Sequence, residues 1–553
     1  MPVAVLVIVG TPVIVFVSGH TSWWGFVATV AVAVTTVAVQ ILGRTPARWL
    51  IDWAAYRFGR NARAAARMDS ASCTDVVTAA GVCGIYAGTK TLVAMIQLAP
   101  NLDLPTVIAD STVYTEDTIP LDVVEALLDQ YGIALDIDIA FTGRRARTTG
   151  EYSLVYDQLI GSRPVVGERL TWLVVRLDLE YNVTSLVRRG PCEVSGPQAL
   201  ASAAHRIANR LREYGLAARV LPASALLDAT RALHADIEPS GLRETWQHLV
   251  TAHPGRFVTT FAVDWHSLGE QRLEDCWIHN RGRTTMVITL SRRTAGPRAL
   301  VRFVGPEVVG GVPAYLCPLT GRQSTAYLMT LPTPTPPGRS LTLVRNTQVP
   351  PFDLLSEIQV PVGPHGQILG AIGGQKRNIL ALPLFDAVRH DPRRRTIDLR
   401  TGLAVAQQIV LRTMVVGASV TVYSSRPQRW MSTVSAVGDE RALRLASDLA
   451  DDEQDDQRSM TIEVFDQVPV RGTGARATIV IGDSGNIRRR SADLTIEQVG
   501  EDSIDIGIPM RTVRVQVIEP RGEARYLEST VDTEASVTGA LTSTPPDITP
   551  VGG

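Results

Sequence analysis

The sequence has little cysteine, few aromatic residues and almost no net charge. Its 553 residues include five cysteines, and no two of them form a C-x2-C pair, so neither a zinc ribbon nor a disulfide framework is indicated. Unpaired thiols suit a reducing cytosol. The net charge of −1 supplies no basic field of the kind that attracts nucleic acid. The composition therefore argues against a nucleic-acid-binding protein and against a disulfide-stabilised secreted one.

Charged residues are also missing from two long apolar runs near the N-terminus, over residues 3–17 and 23–42. A helix that rises ~1.5 Å per residue crosses a ~30 Å hydrocarbon core in about 20 residues, the length of the second run. The first run spans marginally. A signal peptide would begin with a basic region, and buried strands are rarely this long. We therefore predict a two-helix transmembrane hairpin over residues 1–43.

Arginines dominate the segment that follows the hairpin. Asp52 is its one acid before residue 69, and the basic residues there include Arg44, Arg48, Arg57, Arg60, Arg63 and Arg67. The positive-inside rule then places this side, and both chain termini, in the cytoplasm of a two-pass membrane protein. The pattern predicts a basic juxtamembrane helix over residues 44–69 that contacts lipid headgroups.

Two further features of this region suggest how it is held in a bilayer. Tryptophans mark both interfaces, as an aromatic belt does: Trp23 and Trp24 on the far side, and Trp49 and Trp53 on the near side. Small residues recur every four positions on one face of the second helix, at Gly25, Thr29 and Ala33. Such a stripe permits close helix–helix packing, either within the hairpin or against a partner.

After the hairpin, strand and helix patterns alternate. Residues 170–179, 198–214 and 216–221 read as strand, helix and strand, and residues 396–399, 403–416 and 419–423 repeat that order. A further helix is expected over residues 122–131, ending at Gly132. We predict α/β cytosolic domains, with mixed sheets and packed helices, over residues 70–302 and 346–527. A Pro-rich linker region, 303–345, separates them, and a disordered tail covers residues 528–553.

Three clusters carry chemically versatile side chains. The first contains Asp264, His266, Glu274, Asp275, Cys276 and His279. Its spacing matches no metal-ligand pattern, so a polar loop is the better interpretation. The other two are basic: Arg144, Arg145 and Arg147 in one loop, and Arg393, Arg394 and Arg395 with Arg377 and Arg389. Solvated surfaces are favoured for both, with an anionic partner or lipid headgroups as the alternative.

A glycine-rich segment carries the enzymatic alternative. It contains Gly370, Gly373, Gly374, Lys376 and Arg377. A phosphate-binding P-loop needs a Gly-Lys pair followed at once by Ser or Thr, because the Lys reaches the phosphates and the hydroxyl holds Mg²⁺. Gln375 stands between the glycine and the lysine here. A Gly-rich turn is favoured, and a membrane-tethered nucleotide-binding protein or transferase remains the alternative.

Several core segments resemble one known family. They are the strand Thr-Trp-Leu-Val-Val-Arg-Leu at residues 171–177, the Arg-Arg-Gly at 188–190, the helix at 199–214, the Val-Asp-Trp at 263–265 and the strand at 284–290. In these segments, and in the position of the hairpin, the chain resembles the EccE family, a membrane component of actinobacterial and mycobacterial type VII secretion systems.

The resemblance implies a non-catalytic structural subunit of the inner-membrane secretion complex, with no catalytic residues and no cofactor. The partners it implies are the other membrane subunits: the membrane-anchored ATPase, the multi-spanning channel subunit and the single-span periplasmic subunit. Membrane lipid is a further expected contact, and an anionic-lipid sensor that uses residues 44–67 is a third hypothesis beside the subunit and the enzyme.

Overall fold

The computed structural model describes residue 53 and residues 72–110, 112–147, 150–268, 272–294, 296–308, 311–334, 355, 358–374, 377–446, 461–471, 474–482, 491–509 and 511–527. The predicted hairpin (1–43), the juxtamembrane helix apart from residue 53, the end of the Pro-rich region and the predicted tail (528–553) lie outside these ranges. Within them, no helix has the length and apolar character that crossing a bilayer requires.

The strands of the described part are β1 Ser72–Thr78, β2 Gly81–Ala87, β3 Thr91–Ala99, β4 Thr106–Ile108, β5 Val113–Tyr114, β6 Thr118–Ile119, β7 Asp129–Gln130, β8 Ile133–Ala134, β9 Asp136–Arg144, β10 Glu168–Asp178, β11 Ala217–Val220, β12 Arg243–Glu244, β13 Leu249–Val250, β14 Phe257–Val263, β15 Arg283–Ser291, β16 Arg298–Gly305, β17 Leu316–Pro318, β18 Val360–Pro361, β19 Gln367–Ile372, β20 Ile379–Leu382, β21 Arg395–Arg400, β22 Ser419–Ser424, β23 Leu443–Leu445, β24 Thr461–Asp466, β25 Ala477–Gly482, β26 Leu494–Gln498, β27 Ser503–Ile508 and β28 Arg511–Gln516.

The helices there are α1 Leu121–Ala126, α2 Glu151–Ile160, α3 Val183–Val187, α4 Cys192–Glu213, α5 Ala223–His234, α6 Trp265–Leu268, α7 Gln323–Met329, α8 Leu403–Val415 and α9 Gln428–Val437. Short 3-10 helices cover Pro239–Gly241, Leu273–His279 and Ala524–Tyr526.

The first sheet is antiparallel throughout, in the order β1-β2-β3-β10-β9-β15-β16-β14-β13-β12, with β11 beside β3 and β17 beside β14. Both β10 and β11 run antiparallel to β3, so they are parallel to each other and α4 crosses between them. This is the strand–helix–strand unit expected at residues 170–221.

The second sheet is mixed, in the order β23-β22-β24-β25-β21-β26-β27-β28-β19-β20-β4-β5. Its first six strands are parallel, and α8 and α9 connect β21 to β22 and β22 to β23. The remaining strands pair antiparallel.

Strands from the first part of the chain pair with strands from the second part. Strand β4, from the first part, pairs with β20 inside the second sheet, with Thr106 opposite Ala381. Strand β6 pairs with β18 in a separate two-stranded sheet. Ladder hydrogen bonds therefore join the two parts of the chain directly. The domain limits given above stay a prediction.

Strand β10 is the centre of the packing because both of its faces are buried. Trp172 and Val174 point into one core, which also contains side chains of α2, α5 and α8. Leu173 and Val175 point into a second core, under α4. Since successive strand residues alternate between faces, the near-continuous apolar run of β10 follows from burial on both sides.

The predicted mixed α/β architecture is confirmed for the described residues. Helix α4 begins at Cys192, six residues earlier than expected, and Pro197 lies inside it. The helix expected over residues 122–131 is wrong after Ala126. Tyr131 and Gly132 both have positive φ and form a two-residue turn between β7 and β8, where a helix end was expected.

We predict that Gly143→Ala destabilises the protein. A Cβ at Gly143 would lie 2.1 Å from the backbone oxygen of Glu168 in the neighbouring strand, so the ladder between β9 and β10 must open, at a cost of about 2–3 kcal/mol. The thermal unfolding midpoint of the purified full chain measures this. The control is Gly482→Ala in β25, where no atom lies within 4 Å of the added carbon. Equal midpoints for the two variants would contradict the prediction.

Candidate functional site

The predicted membrane residues fall almost entirely outside the described part of the chain. This holds for the helix-packing stripe, Gly25, Thr29 and Ala33, and for the interface anchors Trp23, Trp24, Trp49, Arg44, Arg48, Arg57 and Arg60. Trp53 is described, lies in a helical conformation and is 51% exposed. These assignments stay predictions.

The acidic residues of the cluster near residue 270 have separate structural roles. Glu274 is buried and accepts two hydrogen bonds from the Arg169 guanidinium, at 2.8 and 3.0 Å, and one from Trp277 Nε1 at 2.7 Å. Asp275 accepts a hydrogen bond from the backbone of Arg272 and so caps a 3-10 helix. Across the described ranges, no group of His, Cys, Asp and Glu side chains has the arrangement of a metal site.

The glycine-rich segment is the turn of a β-hairpin. Strands β19 and β20 on either side of it pair antiparallel, and Gly373 and Gly374 have the positive φ that the turn requires. A P-loop instead leads from a strand into a helix, whose N-terminus holds the phosphates. Gly370 therefore lies in β19, and Gly373 and Gly374 begin a turn, as favoured from sequence.

The basic loop after β9 is not a solvated turn, and that expectation was wrong. Arg145 is 6% exposed. Arg147 donates from its backbone to Val415 O at 2.8 Å and from its side chain to Gly417 O at 3.1 Å. These oxygens lie at the C-terminal end of α8, where the helix dipole favours a cation. We call the described residues 72–334 the first half of the molecule and the described residues 355–527 the second half. The loop thus joins the two halves.

The second basic cluster contains both buried and exposed arginines. Arg395 is buried and donates to Leu102 O and Pro383 O, both at 2.9 Å, and to Asp103. Arg389 and Arg394 are exposed, as expected for a solvated surface. The solvated interpretation is therefore wrong for Arg395, because that side chain ties β21 to the loop after β3.

Beside the Arg147 contact lies a buried ion cluster formed by Glu168, Arg144 and Arg283, which we call the β10 ion cluster. Arg144 Nε lies 2.6 Å and Arg283 Nη2 lies 3.1 Å from the Glu168 carboxylate. Burial alone would raise the pKa of Glu168, but the two guanidinium groups outweigh it and lower the pKa to about 2. A Cβ at Gly417 would lie 3.6 Å from Glu168 Oε2, so the cluster directly contacts the second half.

A second buried cluster surrounds Glu523 in the C-terminal segment 517–527, which we call the strap. Its carboxylate accepts hydrogen bonds from Arg412 Nη2 at 3.1 Å, from Gln408 Nε2 at 2.6 Å and from the hydroxyl of Tyr152. Arg412 and Gln408 lie on α8, and Tyr152 lies on α2. The strap therefore fastens a helix of the first half to a helix of the second.

The electrostatics of these clusters are those of a structural joint. General acid–base catalysis works best with pKa values near the operating pH. Glu168 is instead held ionised, its pKa lowered to about 2. Burial would lower the pKa of Arg412, but the charge of Glu523 raises it, so that group also stays ionised. Each cluster places a buried carboxylate against at least one guanidinium group of opposite charge.

Of these groups, sequence reasoning singled out Arg144 alone, although a signal for others was present. Arg412 interrupts the apolar face of a helix, and Glu168 and Arg169 open an apolar strand. Charged residues inside buried elements require partners. The partners themselves, such as Glu523 for Arg412, are distant in sequence, and no local pattern identifies them.

Comparison with known proteins gives concordant similarities. Residues 165–263, which begin just before β10 and end with β14, match a family described as "Putative type VII ESX secretion system translocon, EccE". The ESX-2 secretion system protein EccE2 of Mycobacterium tuberculosis is 25% identical over 463 residues, 80% of this chain and 82% of that protein.

Two other relatives match over shorter stretches. The ESX-5 secretion system protein EccE5 of Mycobacterium marinum is 28% identical over 260 residues, 44% of this chain and 62% of that protein. The ESX-1 secretion system protein EccE1 of M. tuberculosis is 32% identical over 200 residues, 35% of this chain and 42% of that protein. The chain thus spans less than two thirds of these two relatives.

These similarities are to components of type VII (ESX) secretion systems. Within that class, the resemblance to the EccE family predicted from the sequence is confirmed.

We predict an acid-labile contribution from Glu168. The folded pKa of about 2 lies below the unfolded value of about 4.3. The stabilisation is therefore complete above pH ~4.3 and is lost as the pH falls toward 2. It amounts to about 3 kcal/mol.

Urea unfolding of the full chain at pH 7 and at pH 3 measures this. Glu168→Gln is expected to lower stability at pH 7 and to flatten the acid dependence. The matched control is Glu213→Gln, since Glu213 makes an exposed ion pair with Arg210 on α4. An unchanged acid dependence in Glu168→Gln would show that other carboxylates account for it.

Proposed function

We propose that this chain is a non-catalytic structural subunit of a type VII secretion inner-membrane complex. The observation that carries the proposal is the similarity to EccE2, because it extends over 463 residues, 80% of the chain. Both sheets and their joint therefore fall largely within the matched length. The buried clusters support the proposal, since their charges serve packing between the two halves.

The membrane attachment follows the sequence prediction. The hairpin of residues 1–43 anchors the chain in the inner membrane with both termini in the cytoplasm. Its small-residue stripe packs against a partner helix or the first helix, and the Trp and Arg residues at its ends hold it at the interfaces. The partners are other subunits of the secretion membrane complex: the membrane-anchored ATPase, the multi-spanning channel subunit and the single-span periplasmic subunit.

Affinity purification from native membranes after mild-detergent extraction tests the subunit role. We expect the chain to extract in a stable, very large complex that contains an ATPase. Mass spectrometry identifies the accompanying chains. A chain that extracts alone, from membranes in which the other secretion subunits are present, would overturn the proposal.

We predict that Gly25→Leu and Ala33→Leu on the stripe reduce recovery of partner subunits. Leucine at these positions prevents close approach of the helix backbones, and such helix contacts are worth about 1–2 kcal/mol, or roughly tenfold in association. The control is Val27→Leu, which lies about half a turn away on the opposite face. Quantitative mass spectrometry of the purified complexes compares the variants at equal bait. Equal recovery from all three would place the partner contacts elsewhere.

A further inference from the structure

The first sheet has two ends with different surroundings. At one end, which we call the near end, the register places Ser72 opposite Ala87, Ala87 opposite Leu92, and Leu92 opposite Leu177. Since strands lie ~4.8 Å apart, Ser72 is about 15 Å from Leu177 across the sheet. The described body thus begins at the near end, where the chain arrives from the juxtamembrane segment.

The opposite end of the sheet is covered by the second half of the molecule. There the β10 ion cluster contacts Gly417, and the loop after β3 binds Arg395. The second sheet therefore occupies the end of the first sheet that lies away from Ser72.

The near end carries an exposed apolar patch just beyond β10. It consists of Tyr181, Val183, Val187 and Val194, which are 58%, 46%, 60% and 56% exposed. Val183 and Val187 are four residues apart on α3 and so share a face. Val194 lies in the first turn of α4, and Gly196 of the same helix packs against Leu92 and Leu179. We call these four residues the near-end patch. Clustered exposed apolar residues mark interaction surfaces.

Two unpaired cations accompany the patch. Arg188 and Arg189 follow directly after Val187 and are exposed, and neither makes an ion pair with any residue the structure describes. Arg189 donates to the backbone oxygen of Tyr131 at 2.7 Å. The other cations nearby are neutralised, since Lys90 pairs with Glu180 and Arg293 pairs with Asp136 and Asp178. Glu193, next to Val194, is exposed and also makes no ion pair with a described residue. The patch thus carries Arg188 and Arg189 against one acid, and its uncompensated charge is positive.

Aromatic and aliphatic side chains beside uncompensated arginines match the chemistry of an anionic lipid interface. Apolar groups enter the headgroup boundary, and the arginines bind lipid phosphates. Two residues, 70 and 71, separate the predicted juxtamembrane helix from Ser72, a reach of at most ~11 Å. A juxtamembrane helix in the headgroup region therefore holds the near end within that distance of the leaflet.

We propose that the near-end patch docks on the anionic cytoplasmic leaflet and sets the orientation of the body, with the first sheet end-on to the membrane and the second sheet distal. This rests on the membrane anchor of the proposed function.

Hydrogen exchange of the full chain in lipid nanodiscs tests the docking. We compare discs of phosphatidylcholine with discs that also contain phosphatidylglycerol, and follow peptides that cover residues 181–194. Exchange in this segment is expected to slow in the anionic discs. Each Arg near an anionic leaflet strengthens binding about fivefold. In the anionic discs, the protection factor of residues 181–194 should therefore be at least about tenfold lower in the double variant Arg188→Glu/Arg189→Glu than in the unmodified chain.

The matched control reverses the same amount of charge at the other end of α4. Arg210→Glu/Arg212→Glu changes two arginines near the helix C-terminus, away from the near end, and should retain the slowing. Val183→Gln/Val187→Gln, which keeps both arginines, should weaken it. Unchanged exchange in the remaining peptides verifies that each variant is folded.

Three outcomes would overturn the proposal, and they are distinguishable. A chain that enters neither disc refutes the anchor and the proposed topology with it. A chain that enters both discs but exchanges equally fast at residues 181–194 refutes only the docking. Protection that is absent in discs and present in the purified secretion complex shows that a protein covers the near-end patch instead.

Discussion

The contact between the two halves of the molecule forms around Glu168, which is shielded from water. Arg144 and Arg283 pair with Glu168 from the first sheet, and Gly417 of the second half lies against its carboxylate. Two interactions cross the same contact: Arg147 donates to Val415 O and Gly417 O, and the buried Arg395 pairs with Asp103. Separating the halves would remove the partner of Arg395, and removing one partner of a buried ion pair typically costs about 3–5 kcal/mol. The arrangement therefore selects one relative position of the sheets.

The strap extends the same constraint to the C-terminal part of the chain. Glu523 reaches α2 and α8 together, and Tyr526 packs edge-on against Tyr152 at a centroid distance of 5.1 Å. Together with β4 in the second sheet, these contacts turn two α/β units into one body.

Local pattern was enough to predict the elements with strong periodicity. The positions of strand β10, helix α4 and helix α8 were predicted to within several residues, because the pattern of apolar residues along the sequence marks their buried faces. Prediction was wrong where distant contacts decide the outcome. Arg145 looked solvated, yet it is buried. The pairing of β4 with β20 has no local signature at all, since a three-residue strand gains its partner only from the finished fold.

The pairing of β4 with the distant strand β20 also has a consequence for the synthesis of the protein. Its partner strand, β20, is synthesised about 270 residues later, which takes roughly 15–50 s at ribosomal rates of 5–20 residues per second. During that interval the first sheet can form while β4 and β5 remain without their neighbours. Unpaired strand edges of this kind invite aggregation. The emerging chain thus has a vulnerable period that ends only when β20 becomes available to pair with β4.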